Sequence, residues 1–165
     1  MFVEMEVAGL ALDEQTKVPL IILRDKEEKY ILPIWIGALE AMAISMPLNG
    51  VTLSRPMTHD LFLNTLETLG VRLEYIEITE IKDSTYFAEV VFLKGEEKLR
   101  IDSRPSDAIA LALRAKAPIM VSQKILDEIE QIKRGDYQVV LQDEESKRWA
   151  EVLEKYNLED IKYKM

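Results

Sequence analysis

The sequence predicts an α+β domain: a mixed, mostly antiparallel sheet built from two strand-strand-strand-helix segments with packed helices, followed by a C-terminal helical tail. Three observations predict it. Apolar runs with alternating or β-branched character are separated by turn residues, the pattern of strands. A rhythm of three strands and a helix occurs first in residues 2–46 and again in residues 71–116. A short phrase recurs at the entrances to two helices, as Ser54-Arg55-Pro56 and as Ser103-Arg104-Pro105.

The elements follow in order. Phe2 to Leu12 alternates, with Val3, Met5 and Val7 on one face and Glu4 and Glu6 on the other. No basic segment precedes an apolar one there, so the start reads as a strand rather than a secretory leader. After the turn Asp13-Glu14-Gln15-Thr16, the apolar run Val18 to Leu23 makes a second strand. Tyr30 to Ile36 makes a third, and Pro33 marks it as an edge or a bulge. Ala38 to Met46 is apolar almost all round, which predicts a buried helix ended by Pro47, Asn49 and Gly50. His59 to Leu69 is a helix that stops at Gly70. Val71 to Lys82, Tyr86 to Leu93 and Lys98 to Ile101 form an antiparallel meander. A helix from Asp107 to Lys116, a strand at Ile119 to Val121, a helix from Ser122 to Lys133 and a strand at Val139 to Leu141 complete the domain. The expected division is a domain over residues 1–141 and a tail over 142–165, where Trp149, Val152, Leu153 and Tyr156 form a helical stripe.

With 165 residues and 48% hydrophobic content, the chain can bury one real core. It has no Cys, which excludes disulfide and thiol chemistry. Its net charge of -9 argues against a broad basic face for nucleic acid. It leaves room for an enzyme that meets phosphates through a small basic site or a metal ion. The most apolar stretch, Tyr30 to Leu53, is interrupted by Pro33, Gly37, Pro47, Asn49 and Gly50, so no membrane span is expected. A cytoplasmic protein is the expectation. The phosphate-loop, dinucleotide-binding, zinc-helix and nucleophile-elbow signatures are missing.

Six residues carry candidate chemistry. Arg55 and Arg104 stand in Pro-stiffened turns beside helix starts, equipment for a phosphate or for a salt bridge that pins a turn. His59, the one histidine, heads an apolar stripe with Phe62, Leu63 and Leu66. It is either a hydrogen-bonded structural residue or a general base. Asp60 and Asp107 lie in first helical turns, where the helix dipole alone favours them and where they could also bind a divalent ion. Glu40 is the one charged residue between Lys29 and Arg55. It is a capping residue at the start of its helix, or a metal ligand or general acid–base.

The motifs Leu32-Pro33-Ile34-Trp35-Ile36-Gly37 with Glu40-Ala41, Arg55-Pro56-Met57-Thr58-His59-Asp60-Leu61, and Asp102-Ser103-Arg104-Pro105-Ser106-Asp107-Ala108-Ile109-Ala110 together resemble the bifunctional nuclease domain family. The resemblance covers roughly residues 1 to 140 in matching order. It implies a compact, self-associating α+β domain with these motifs around one groove, and hydrolysis of both DNA and RNA.

The expected function is therefore phosphodiester hydrolysis. Arg55 and Arg104 would hold phosphate, and His59 would act as base or acid. Asp60, Asp107 and Glu40 would bind Mg²⁺ or Mn²⁺. Nucleic acid is the expected partner, together with a homodimer or higher homo-oligomer. The rival reading is a non-catalytic oligomeric module that binds an anion or a protein. Its geometric signature is carboxylates held separately by arginines or backbone N–H groups.

Overall fold

A computed structural model describes residues 1–13, 15–132 and 139–140. The expected tail, with its Trp149 stripe, and the boundary at residue 141 lie outside the described residues. Strands β1 (Phe2–Asp13), β2 (Pro19–Asp25) and β3 (Ile31–Trp35) lead into helix α1 (Ala38–Leu48). Helix α2 (Thr58–Thr68) follows, then the meander β4 (Val71–Lys82), β5 (Thr85–Lys94) and β6 (Glu97–Ser103). Helix α3 (Pro105–Ala115), β7 (Ile119–Ser122), α4 (Gln123–Ile132) and β8 (Val139–Val140) complete the order.

One sheet runs β3-β2-β1-β7-β4-β5-β6, with β8 beside β1. Only the β4–β7 pair is parallel among the described strands, so the sheet is mixed, as the sequence predicts. Pro33 lies on edge strand β3, where a missing backbone donor does least harm. The other edge is β6, which begins one residue before and ends two residues after its predicted span.

Alternation decides which face is covered. Ile76 and Ile78 of β4 and Ala88, Val90 and Phe92 of β5 enter one core cluster with Ala108, Ile109 and Ala112 of α3. Each fully buried Ile in that layer contributes on the order of 1.5–3 kcal/mol. Helix α3 contacts both α1 and α2. Small residues at 108, 110 and 112 let it press close to the sheet.

Helix α1 differs from expectation. Only Ala43 and Ile44 are buried, while Leu39 is 76% and Met42 47% exposed. It packs one side on α3 and leaves the other open, so its all-round apolarity is not matched by all-round cover. It also absorbs Pro47 one residue before its end, since Asn49 N–H still reaches the Ser45 carbonyl at 3.0 Å. Helix α2 is a surface helix with no buried residue, and Gly70 after it takes a left-handed φ of 74°.

Candidate functional site

Three helix starts build the site. Helices α1, α2 and α3 each carry an acid at the third position, Glu40, Asp60 and Asp107. A carboxylate there is favoured by the unpaired N–H groups of the first turn. Their further partners separate them.

Arg104 is the extended residue just ahead of α3. Its Nε donates to Asp107 Oδ2 at 2.8 Å, and one terminal nitrogen donates to Glu40 Oε1 at 2.8 Å. One guanidinium thus ties the start of α3 to the start of α1, across 64 residues of chain. A Cβ at Gly37, ahead of α1, would meet the Glu40 carboxylate and shift it from the position in which it holds Arg104. His59, second in α2, places Nε2 3.1 Å from Asp107 Oδ1. Asp107 therefore uses one oxygen for arginine and the other for histidine.

Burial alone would raise the Asp107 pKa, but hydrogen bonds from Arg104 and then His59 more than offset it and hold the carboxyl below its usual 3.8. The Glu40 carboxyl is held below 4.5, first by its own backbone N–H and then by Arg104. Asp107 first, then Glu40, push the Arg104 pKa up. An ionised carboxylate only accepts hydrogen bonds, so in the neutral form of the ring the His59 contact assigns the proton to Nε2 and leaves a lone pair on Nδ1. The Arg104 side chain remains 54% exposed, so its guanidinium can still meet an incoming anion.

His59 and Asp107 stand on the wall of a cleft of about 330 Å³ between α2, α3 and the β5–β6 edge. The rest of its lining is largely apolar, with Phe62, Phe92, Ile101 and Leu111 prominent.

Asp60 belongs elsewhere. Its carboxylate accepts from Arg114 Nε at 3.1 Å and from the Met57 backbone N–H at 3.0 Å. Arg114 also donates to the Ala43 and Ala110 carbonyls at 2.8 and 2.9 Å and is only 9% exposed. It is a tie between α1, α2 and α3. Consecutive helical residues point about 100° apart, which is why His59 and Asp60 serve different partners. Arg55 lies on the exposed loop before α2 and lines a second pocket of about 470 Å³ with Asp60, Arg114 and Lys116. It has no ion pair among the described residues.

The structure thus joins Glu40, His59, Arg104 and Asp107, and sets Asp60 and Arg55 apart. Among the described residues, no group of three or more His, Asp or Glu side chains is placed to hold a metal ion. Glu40 and Asp107 turn oxygens to Arg104, and Asp60 to Arg114. As placed, these donors do not fit the shared Mg²⁺ or Mn²⁺ site expected from the sequence. The arrangement can hold an anion on Arg104 and move a proton at His59 Nδ1.

Two contributors escape a sequence reading. The buried tie of Arg114 is hinted at only by its position seven residues after Asp107, on the same helix face. The aromatic cleft wall is signalled only by the stripe that sets Phe62 with His59, because Phe92 is brought to Phe62 by tertiary packing.

Fold and site together define the class: an α+β domain whose helix N-termini gather one arginine, one histidine and two carboxylates beside an apolar cleft. The chain belongs to the bifunctional nuclease domain family, which it matches over residues 21–133. It is 30% identical over 163 residues to an uncharacterized protein of Mycobacterium tuberculosis, an alignment covering 96% of this chain and 98% of that protein. It is 27% identical over 119 residues to Bifunctional nuclease 1 of Arabidopsis thaliana, covering 70% of this chain and 37% of that one. Similarity to Bifunctional nuclease 2 of Oryza sativa subsp. japonica is 27% over 121 residues, 71% of this chain and 37% of the rice protein. The chain thus aligns with little more than a third of each plant protein. Among the described residues, no helix is long and apolar enough to cross a membrane.

Proposed function

We propose that this chain is a nuclease that hydrolyses phosphodiester bonds of DNA and RNA. Family membership supports the class of reaction. The observation that carries the residue roles is the Arg104–Asp107–His59 chain of contacts, of which Asp107 and His59 line the cleft. In this reading Arg104 turns part of its guanidinium to a phosphate oxygen and stabilises the charge that develops there. Glu40 and Asp107 keep that guanidinium in place. Asp107 fixes the ring of His59, and Nδ1 takes a proton from the attacking water. The water oxygen bonds to phosphorus, the P–O bond to the leaving nucleotide breaks, and the proton on His59 is available to the departing oxygen. Phosphate-centred recognition needs no 2′-OH, consistent with action on both nucleic acids. Asp60 acts through Arg114 on helix packing, and Arg55 with Lys116 takes a flanking phosphate.

One observation favours the non-catalytic reading. Every candidate carboxylate is already matched by an arginine, a closed network that is sufficient as structure. Cleavage of single-stranded DNA and RNA by identically purified wild type and His59→Ala, with Mg²⁺, Mn²⁺ or chelator, separates the two. The nuclease reading expects a loss of about 10²–10⁴-fold in the variant. Equal cleavage by both proteins would remove His59 from the chemistry, and no cleavage by either would leave the binding module. Dependence on added Mg²⁺ or Mn²⁺ would restore a metal to the mechanism despite the arginine-bound donors. Cytoplasmic location and self-association belong to the same proposal. The open apolar side of α1, with Leu39 and Met42 one turn apart, supports the latter, and a monomer mass in sedimentation would overturn it.

A further inference from the structure

We propose that the apolar cleft beside His59 is a subsite for one unpaired nucleobase, so that single-stranded nucleic acid is the preferred substrate. This rests on the nuclease reading and goes beyond it, from the reacting phosphate to the part of the substrate that delivers it. The cleft, about 330 Å³, lies at the small end of ligand sites. It has room for one nucleotide unit and none for a stacked pair.

Its walls suit a base. Phe62 and Phe92 meet edge to face, with centroids 6.1 Å apart and planes at 65°. Two rings so arranged do not stack on each other, and Phe62, 43% exposed, lines the cleft with ring surface that a third aromatic ring can meet. Ile101 and Leu111 supply apolar contact around it. Residues 101–103 of β6 form one rim, and β6 is an edge strand. Among the described residues no strand pairs with its outward side, whose backbone N–H and C=O groups can meet the polar edge of a base without choosing among bases.

Position links the cleft to the chemistry. Phe62 follows His59 by one helical turn, a rise of about 4.5 Å. A base on Phe62 thus sits roughly one nucleotide's reach from the imidazole, which Asp107 links to Arg104. The net charge of the chain gives no broad basic surface to grip a duplex, so a base anchor would supply what phosphate contacts cannot. A base inside a duplex reaches such a cleft only by leaving its stack and its partner.

The test is equilibrium binding and cleavage of three labelled oligonucleotides: a single strand, the same strand made abasic, and its paired hairpin. Wild type, Phe62→Ala and Phe62→Leu are compared, the leucine variant keeping apolar packing while removing the ring face. The wild type is expected to bind the single strand at least about tenfold more tightly than the abasic strand or the hairpin. Both variants should lose most of that preference and leave abasic binding unchanged. Equal binding of normal and abasic strands by the wild type, or no binding of either, would overturn the subsite. A base preference kept in full by Phe62→Leu would overturn the ring's part in it. A base preference in binding with no cleavage of any strand would instead sink the nuclease reading and leave the subsite standing.

Discussion

The two Ser-Arg-Pro phrases have nearly the same sequence and opposite fates. In the second, Arg104 immediately precedes its helix and Pro105 is the first helical residue. In the first, Met57 intervenes, so Arg55 stands two residues further from the helix. That offset decides the environment. Arg104 sits over the first turn of α3, within reach of Asp107 and of the start of α1. Arg55 is carried out onto an exposed loop. The acids three and five residues downstream, Asp107 and Asp60, nonetheless occupy the same third helical position. Asp107 spends its oxygens on Arg104 and His59, while Asp60 closes its own helix start and accepts from Arg114. A local motif fixes the turn, and the neighbours supplied by the fold fix what the turn is for.

The largest test of that contrast is kinetic. Arg104→Ala removes the charge beside the proposed reacting phosphate and should lower kcat by about 10²–10³-fold. Arg55→Ala should leave kcat nearly unchanged and weaken substrate binding by a few-fold, with a shallower salt dependence by about one phosphate contact. Matched losses in kcat would mean that both arginines serve the reacting phosphate and that the offset is immaterial. A loss confined to Arg55→Ala would move the chemistry to the second pocket.

The stability ranking should invert. Arg114→Met would leave the partly exposed Asp60 carboxylate with the Met57 N–H alone and take a donor from two helix carbonyls, at a cost of about 1–2 kcal/mol. Arg104→Met breaks two ion pairs that water already screens, and should cost about 1 kcal/mol or less at neutral pH. Urea midpoints with unchanged slopes would read the difference. A larger cost at Arg104 than at Arg114 would show that the catalytic-looking network is the structural one.

Much of this was legible in the chain. Alternation gave every strand of the meander, and Gly70 the end of α2. Stripe geometry put His59 with Phe62. The sequence also contained the three acids at helix starts. What it could not supply is long-range pairing. Nothing local says that Glu40 meets Arg104, that His59 meets Asp107, or that a buried Arg114 claims Asp60. The reading of α1 as buried failed for a related reason: apolarity reports what a surface can bury, and only packing reports what covers it. First-turn acids look alike in sequence whether they face an ion, an arginine or their own backbone.

The smallest effect is the pH dependence of the Arg104 network, and its sign is determined. Glu40 and Asp107 have folded pKa values below their ordinary 4.5 and 3.8. Each therefore stabilises the fold fully above its ordinary value and loses that contribution as pH falls through the lower, folded one. Asp13 is also held low: burial raises its pKa, but backbone N–H groups of Thr16 and Gln15 outweigh it. Asp13 should titrate alike in wild type and in Arg104→Met, so the difference between the two proteins isolates the network. Between about pH 6 and about pH 3 the wild type should lose more unfolding free energy than Arg104→Met, by up to about 1 kcal/mol after solvent screening. Parallel losses would mean that the carboxylates owe their acidity to the helix N-termini rather than to the arginine. Glu40, whose own backbone N–H is its largest stabiliser, would then be the model for Asp107, and the two Ser-Arg-Pro phrases would differ less than their contacts suggest.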